Sequence, residues 1–424
     1  MRLVDHIAQA RTPFIVKCAS TGAPARLAEV SDYAGAVASC PLRYVRSVGA
    51  RLLPGVLAGL ALAMAVPPQA AAADEHFSRT QVTAIIANAR KITSPNGVQE
   101  LLEIPVGGTR QWISVRGRDR RNPILLLIHG GPASPEMPMS WWFENGWEDF
   151  FTVVQWDQRG AGKSYGANDP ATIAPTLSLE RITRDAGEVV QYLRTRYAKD
   201  KIFVLGHSWG SVVGLNLARQ HPQWLYAYVG AGQIVSGIEN ERVGYELTLQ
   251  EARRRGNAQA VSELQALAPY PGTGASLTLD KLGTERKWSV TFGGLTHGRS
   301  EVNLNYYYDL AELSPEYSQA DLDAIDSGSH LSLKPLLAEV MRFDMSGVRR
   351  WDCPIILFAG RYDTTTPSQV AADWLKRVHA PAKKLVWFEN SAHMMMIEEP
   401  GEFLLHLVTD VRALADERPP RAAH

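Results

Sequence analysis

From about residue 97 the chain alternates two kinds of hydrophobic pattern. Short runs dominated by apolar residues, at 123–129, 151–156, 201–205, 225–229, 354–359 and 384–388, predict strands buried on both faces. Two earlier segments, 98–104 and 111–116, predict antiparallel strands. Between the runs lie helical patterns. Ile182, Ala186, Val189, Val190, Leu193 and Tyr197 are spaced 4, 3, 1, 3 and 4 apart, which is one face of a helix. Thr366-Pro367 predicts the start of another, with a threonine cap and a proline in the first turn. Glu398-Glu399-Pro400 predicts the last, with acids at the positive end of its dipole. Strand–helix alternation of this kind predicts an α/β fold, a mostly parallel sheet with helices on both faces. The alternation breaks between about residues 233 and 348, a stretch rich in Glu, Arg, Tyr and Leu with no strand run. It predicts a helical cap, inserted before the last two strands, that covers the carboxyl edge of the sheet and forms the substrate pocket.

Composition changes this picture only at the amino end. Charges balance at 44 Lys and Arg against 44 Asp and Glu, with no basic stripe, so no nucleic-acid partner is expected. Residues 1–73 hold seven of the basic and three of the acidic residues, which leaves 37 against 41 and a net charge of −4 for the remainder. Arg46 and Arg51 precede an apolar run from Leu52 to Val66, followed by Pro67-Pro68 and the small residues Ala70 to Ala73. A basic start, an apolar stretch and a small-residue site are the parts of a secretory signal peptide, expected over about 45–73. The run is short of the roughly 20 residues of a membrane span, so stable membrane insertion is not expected after cleavage; an uncleaved anchor is the competing reading. The expected divisions are therefore a presequence over 1–73, the first part of the core over 74–232, the cap over 233–347 and the second part of the core over 348–424. Residues 1–44 show no clear periodicity, and Val45 is a plausible alternative start. Cys18 and Cys40 fall in the presequence. Cys353 stands alone in the remainder, where it reads as a packing residue with no internal disulfide partner.

The chemistry centres on Gly206-His207-Ser208-Trp209-Gly210, which joins an apolar strand run directly to a helical pattern. A Gly-x-Ser-x-Gly segment in that context predicts a strained strand-to-helix turn that thrusts the Ser208 hydroxyl into the open. A serine nucleophile needs a base, and the base needs an acid to hold its tautomer. Asp363 follows the next-to-last strand and His393 follows the last, so both are expected at the same sheet edge in the chain order Ser, Asp, His. The turn directs His207 away from Ser208, so it is expected to pack against the strand or line the cleft. Backbone N–H groups of Trp209 and of Gly131, in His129-Gly130-Gly131-Pro132, are the expected oxyanion donors, because Pro132 has no N–H.

Five segments together resemble the prolyl aminopeptidases (proline iminopeptidases) of the α/β-hydrolase superfamily: His129-Gly130-Gly131-Pro132, Asp157-Gln158-Arg159-Gly160-Ala161-Gly162-Lys163-Ser164, the segment around Ser208, Gly360-Arg361-Tyr362-Asp363 and Ser391-Ala392-His393. The resemblance covers roughly residues 97–232 and 348–415. It implies the α/β-hydrolase fold and a Ser-His-Asp triad. It also implies that Asp157 and Arg159, a charged pair under the cap, hold loops around the pocket. The chain departs from the family at Ala133 and His207, where the family usually has glycine. It departs also at Phe292 in Trp288-Ser289-Val290-Thr291-Phe292, where the family has a glutamate for the substrate's amino group. Trp288 and Phe292 are candidate pocket residues, and Glu239 and Glu301 candidate substitutes for that carboxylate, together with Glu241, Asp309 and Glu312.

The expected function is that of an exported serine hydrolase working through an acyl-enzyme on a small molecule or short peptide, releasing an N-terminal proline-like residue. An esterase or lactonase with an aromatic pocket (Trp288, Phe292, Tyr306, Tyr307, Tyr308) is the alternative, and a catalytically silent binding protein a third reading. Ser208 excludes chemistry that needs an aspartate at the elbow. Gly160-Ala161-Gly162-Lys163-Ser164 lacks the first glycine of a phosphate loop at the required spacing. Neither a metal nor a cofactor is expected, and the oligomeric state is left open.

Overall fold

The computed structural model describes residues 77–272, 277–298 and 304–416, with the backbone alone over 304–307. The presequence, with its expected signal peptide, and Glu301 lie outside the described residues. Eight strands, β1 Val98–Val106, β2 Thr109–Gly117, β3 Ile124–Ile128, β4 Thr152–Asp157, β5 Ile202–His207, β6 Leu225–Ala231, β7 Ile355–Gly360 and β8 Lys383–Phe388, form one sheet in the order β1-β2-β4-β3-β5-β6-β7-β8. Every expected strand forms, with ends shifted by one or two residues. β1 pairs antiparallel with β2 and β2 with β4; all later pairings are parallel. The apolar runs follow from this burial. Ile124, Leu126 and Ile128 of β3 pack on one face with Val189, Val190, Val212 and Val213, whereas Leu125 and Leu127 pack on the other with Trp147, Met395 and Phe403. A strand between two such layers has no polar side to show.

Helices α1 Leu179–Arg196, α2 Trp209–Gln220, α8 Ser368–Arg377 and α9 Pro400–His406 follow β4, β5, β7 and β8. Between β6 and β7 the described chain runs through α3 Gly237–Arg254, α4 Ala258–Gln265, α5 Leu279–Thr291, α6 Leu304–Glu312 and α7 Gln319–Arg342 without a strand. These helices have an apolar core of their own, including Leu249, Ala252, Ala260, Leu264, Trp288, Leu337 and Met341. Polar contacts from α7 hold the loops beneath it. Ser329 donates to the Ala133 carbonyl at 2.8 Å, Ser332 to the Gly160 carbonyl at 3.1 Å, and Lys163 reaches Asp321 at 2.6 Å.

One helix start differs from expectation: α8 begins at Ser368 with Pro367 in the cap position, because Thr366 is drawn away to bond Asp363. α9 begins at Pro400 with Glu399 in the cap position, as expected, but Glu398 is bonded to backbone N–H groups of two loops. Cys353 is buried just before β7, and burial pushes its thiol up to about 12. No helix of the described residues is long and apolar enough to cross a membrane.

Candidate active site

The six strands β3 to β8 run parallel, so the segments that follow them meet at one edge of the sheet. Ser208 follows β5 directly and caps α2 with φ 54° and ψ −122°. A non-glycine residue held there stores roughly 1–3 kcal/mol. The surroundings enforce the turn. Gly210 leaves no room for a Cβ, which would collide with the carbonyl of Ile128 at the end of β3. Ser208 N–H donates to the Ala231 carbonyl at 3.0 Å, which ties the elbow to the end of β6. The serine itself is half-buried, whereas Trp209 beside it is buried.

Asp363 and His393 meet as the sequence predicts. His393 Nδ1 lies 2.8 Å from Asp363 Oδ2, and both side chains are buried. Thr366 completes the arrangement: its N–H donates to Asp363 Oδ1 at 2.7 Å and its hydroxyl to Oδ2 at 2.7 Å, 3.1 Å from His393 Nδ1. The carboxylate is thus fixed on three sides, facing the ring. The far side of that ring is packed by backbone. A Cβ on Gly232, which has φ +56°, would fall 2.8 Å from His393 Cε1, so only glycine lets the β6 turn approach so closely. Since Gly232 follows the Ala231 that binds Ser208 N–H, the Ser208 turn and the His393 ring share one support.

The turn after β3 closes the other side of the serine. A Cβ built on Gly130 would sit 3.0 Å from Ser208 Cβ, and Gly131 is exposed with φ +108°. Trp209 is the first residue of α2, so its N–H has no acceptor within the helix. The indole of Trp209 donates to Gln158 Oε1 at 3.0 Å, and Gln158 Nε2 donates to the His129 carbonyl at 2.8 Å. His129 is buried and neutral: its Nε2 accepts from Gln158 N–H at 3.2 Å, its Nδ1 donates to the Gly130 carbonyl at 2.9 Å, and burial pushes it down to about 4. His207 is neither loose packing nor a cleft residue; it bonds Glu136 and the His393 carbonyl.

Asp157 and Arg159 are buried but do not pair with each other. Arg159 pairs with Asp185 of α1 at 2.8 Å and donates to the Gly107 carbonyl at 2.9 Å. Asp157 accepts from the Lys163 N–H at 2.8 Å and from the Tyr317 hydroxyl, and burial pushes its carboxyl up to about 7. Arg159 thus ties its loop to Asp185 and Gly107, and Asp157 ties its own to Tyr317 of the cap as well as to the nearby Lys163.

The cap candidates are redistributed. Trp288 and Phe292, expected to face the substrate, stack on each other at 5.7 Å beside the cap's own core, and the Trp288 indole donates to Glu263 at 2.9 Å. Glu239 lies on a half-exposed face and pairs with Arg242 at 2.6 Å, so it is not a free pocket carboxylate. Glu312 pairs with Arg79 at 3.5 Å on the surface, and Asp309 is exposed. Glu241 is the buried one: it takes Arg286 at 2.5 Å and the Tyr270 hydroxyl at 2.7 Å. Glu285, not singled out in the sequence, joins the same cluster through Arg286 and a 2.8 Å bond from Thr248, and burial raises its carboxyl. Asn240, next to Glu241, donates to the Thr365 carbonyl at 3.1 Å and so sets this cluster beside the Asp363 loop. A second cap contact, also not apparent in the sequence, reaches the His393 loop. The Leu295 carbonyl accepts from the N–H groups of His393 and Met394 at 3.0 and 3.1 Å. Glu398 binds the N–H groups of Ala392, at 2.7 Å, and of His297; burial pushes its carboxyl up to about 7 against the pull of those two donors.

Comparison with known proteins identifies the fold family. The family described as the alpha/beta hydrolase fold matches residues 123–400. Probable aminopeptidase YbaC of Bacillus subtilis is 30% identical over 314 residues, covering 74% of this chain and 96% of that protein. The proline iminopeptidase of Heyndrickxia coagulans is 23% identical over 290 residues, covering 66% of this chain and 87% of its own length. Among solved structures, the proline iminopeptidase-related protein TTHA1809 of Thermus thermophilus superposes with a TM-score of 0.53 at 19% identity, over 75% of this chain and 99% of that one. The chain belongs to the α/β-hydrolase fold family, beside relatives named as aminopeptidases.

Proposed function

We propose that the protein is a serine aminopeptidase that releases a proline-like residue from the amino end of a small peptide through an acyl-enzyme. The observation that carries this reading is His393 Nδ1 at 2.8 Å from Asp363 at the edge where the strained Ser208 stands. In this reading Ser208 Oγ attacks the carbonyl carbon while its proton passes to His393 Nε2. Asp363 holds the Nδ1–H and stabilises the imidazolium. The oxyanion is taken by the N–H groups of Trp209 and Gly131, one such donor contributing about 3–4 kcal/mol. His393 then protonates the departing amine, and water repeats the sequence to free the acid. With Ser208 as the attacking group, none of these steps calls for a metal.

Preference for a free amino terminus requires a carboxylate, because an unpartnered ammonium in a desolvated pocket is unfavourable by several kcal/mol. Glu241, the buried cap carboxylate, stands with Arg286 and the Tyr270 hydroxyl beside the Asp363 loop, and is the residue on which this requirement is tested. Replacing Glu241 by Gln, which leaves Glu285 to hold Arg286, is expected to lower kcat/KM for free aminoacyl amides about 10- to 100-fold. Rates on N-blocked amides and short acyl esters are expected to change little, and Glu239→Gln to leave all three substrates unaffected. Equal loss on blocked and free substrates would remove the aminopeptidase reading, and efficient cleavage of simple esters by the unaltered protein would favour the esterase.

We further propose export, on the order of Arg51, the apolar run 52–66 and Ala70 to Ala73. Amino-terminal sequencing of protein from the periplasm or medium is expected to begin close to Asp74. Recovery of the uncleaved chain in the membrane or cytosol would contradict this.

A further inference from the structure

His207 occupies the position before the nucleophile, where the resembled family has glycine, and its ring is buried between two loops that both serve the reaction. Its Nδ1 faces Glu136 Oε1, on the turn that continues from Gly131, and its Nε2 lies 3.2 Å from the carbonyl of His393. The His207 and His393 rings lie 4.7 Å apart at 34°. Both partners of His207 are acceptors, a carboxylate and a carbonyl. A neutral imidazole has only one N–H and would leave one nitrogen lone pair against an acceptor lone pair. His129, one strand over, has one donor and one acceptor neighbour and suits a neutral ring. The two histidines are thus distinguished by their partners alone.

We propose that His207 is a positioning residue for the base, a doubly protonated ring that ties the oxyanion turn, through Glu136, to the main chain of His393. The inference rests on the serine-hydrolase reading and names a part of its machinery that the triad does not contain. Glu136 Oε1 also lies 3.4 Å from the Gly130 N–H, so the same carboxylate braces the turn that carries Gly131. The ionisable groups around His207 are Glu136 and Asp363, which favour its charge, and His129 and His393, which lie on the loops beside it. Burial opposes the charge, but the adjacent Glu136 carboxylate, with the His393 carbonyl and Asp363, leaves the pKa of His207 above the usual histidine value. The sign follows for pH. The tie is complete below the ordinary histidine range and is lost as pH rises through the elevated value of the folded protein. It therefore adds an alkaline limb to activity, separate from the acid limb that any histidine base produces.

The test is the rate of Ser208 labelling by a fluorophosphonate, together with kcat and KM, across pH in the unaltered protein, His207→Gln and Glu136→Gln. Both variants are expected to lose about tenfold or more in kcat and in labelling rate near neutral pH, with KM changed little, as for a base displaced by a fraction of an ångström. Both are also expected to lose the alkaline limb while retaining the acid one. A purely structural role would lower the melting temperature and leave the shape of the profile intact, and that result, or unchanged kcat, would overturn the inference. Should neither variant fold, ring-nitrogen NMR of the unaltered protein decides. One buried imidazolium shielded from solvent at neutral pH supports the tie, and buried rings that are all neutral overturn it. Failure of the unaltered protein to label at Ser208 would instead remove the serine-hydrolase reading itself.

Discussion

Ser208→Ala is expected to lower kcat by about five to six orders of magnitude, leaving only what binding and the oxyanion donors supply. The size of the loss follows from the proposed chemistry. Without Oγ there is no acyl-enzyme, and His393 and Asp363 have no proton to move. The same position predicts an opposite effect on stability. Its φ of 54° and ψ of −122° lie where glycine is at ease and a side chain is strained. Ser208→Gly is therefore expected to be as inactive as the alanine variant yet more stable than the unaltered protein, by about 1 kcal/mol after the added entropy of glycine in the unfolded chain. Thermal unfolding of the three proteins side by side checks this. A glycine variant that melts lower than the serine would show that the elbow is not strained.

Asp363→Asn is expected to lower kcat about 10⁴-fold, although the substitution changes the volume of the site hardly at all. The surroundings explain why so small a change matters. Asp363 accepts from the Thr366 N–H, the Thr366 hydroxyl and His393 Nδ1, so every neighbour is a donor. An amide must turn its NH₂ toward one of them. With the amide oxygen held by the Thr366 N–H, the NH₂ faces His393 Nδ1 and forces the tautomer whose proton sits on Nε2, where Ser208 must deliver its own. Thr366→Val is expected to weaken the same hold more mildly, since it removes the hydroxyl and keeps the N–H. A pH–rate profile of Asp363→Asn tests the argument: loss confined to KM, or under about tenfold in kcat, would contradict the role given to Asp363.

The strands were legible because a parallel sheet between two helical layers leaves its mark on consecutive residues, as in Ile124 to Ile128, all buried. Ser208, Asp363 and His393 were legible for a related reason. Each follows a strand at short range, and parallel strands place their ends together without further information. What the sequence concealed are mostly contacts made between segments far apart in the chain, with one local exception at Thr366. Arg159 finds Asp185 rather than Asp157, and the choice depends on how α1 lies on the sheet. Thr366 reads as a helix cap, yet it spends both donors on Asp363; the Asp-x-x-Thr spacing, which lets a side chain accept from the third N–H onward, was the available signal. The partnership of His207 with Glu136 spans 71 positions, and nothing local marks it. The cap was legible only as helix. Whether Trp288 faces a substrate or its own core depends on which side of α5 meets α3 and α4, and the structure turns it inward beside Leu249 and Leu264.

The most direct measurement of the central claim is fluorophosphonate labelling of the folded protein followed by peptide mapping. The account predicts a single modified residue, Ser208, with labelling lost in His393→Ala and prevented by prior denaturation. A label on any other residue, or labelling of Ser208 at an undiminished rate in His393→Ala, would contradict it.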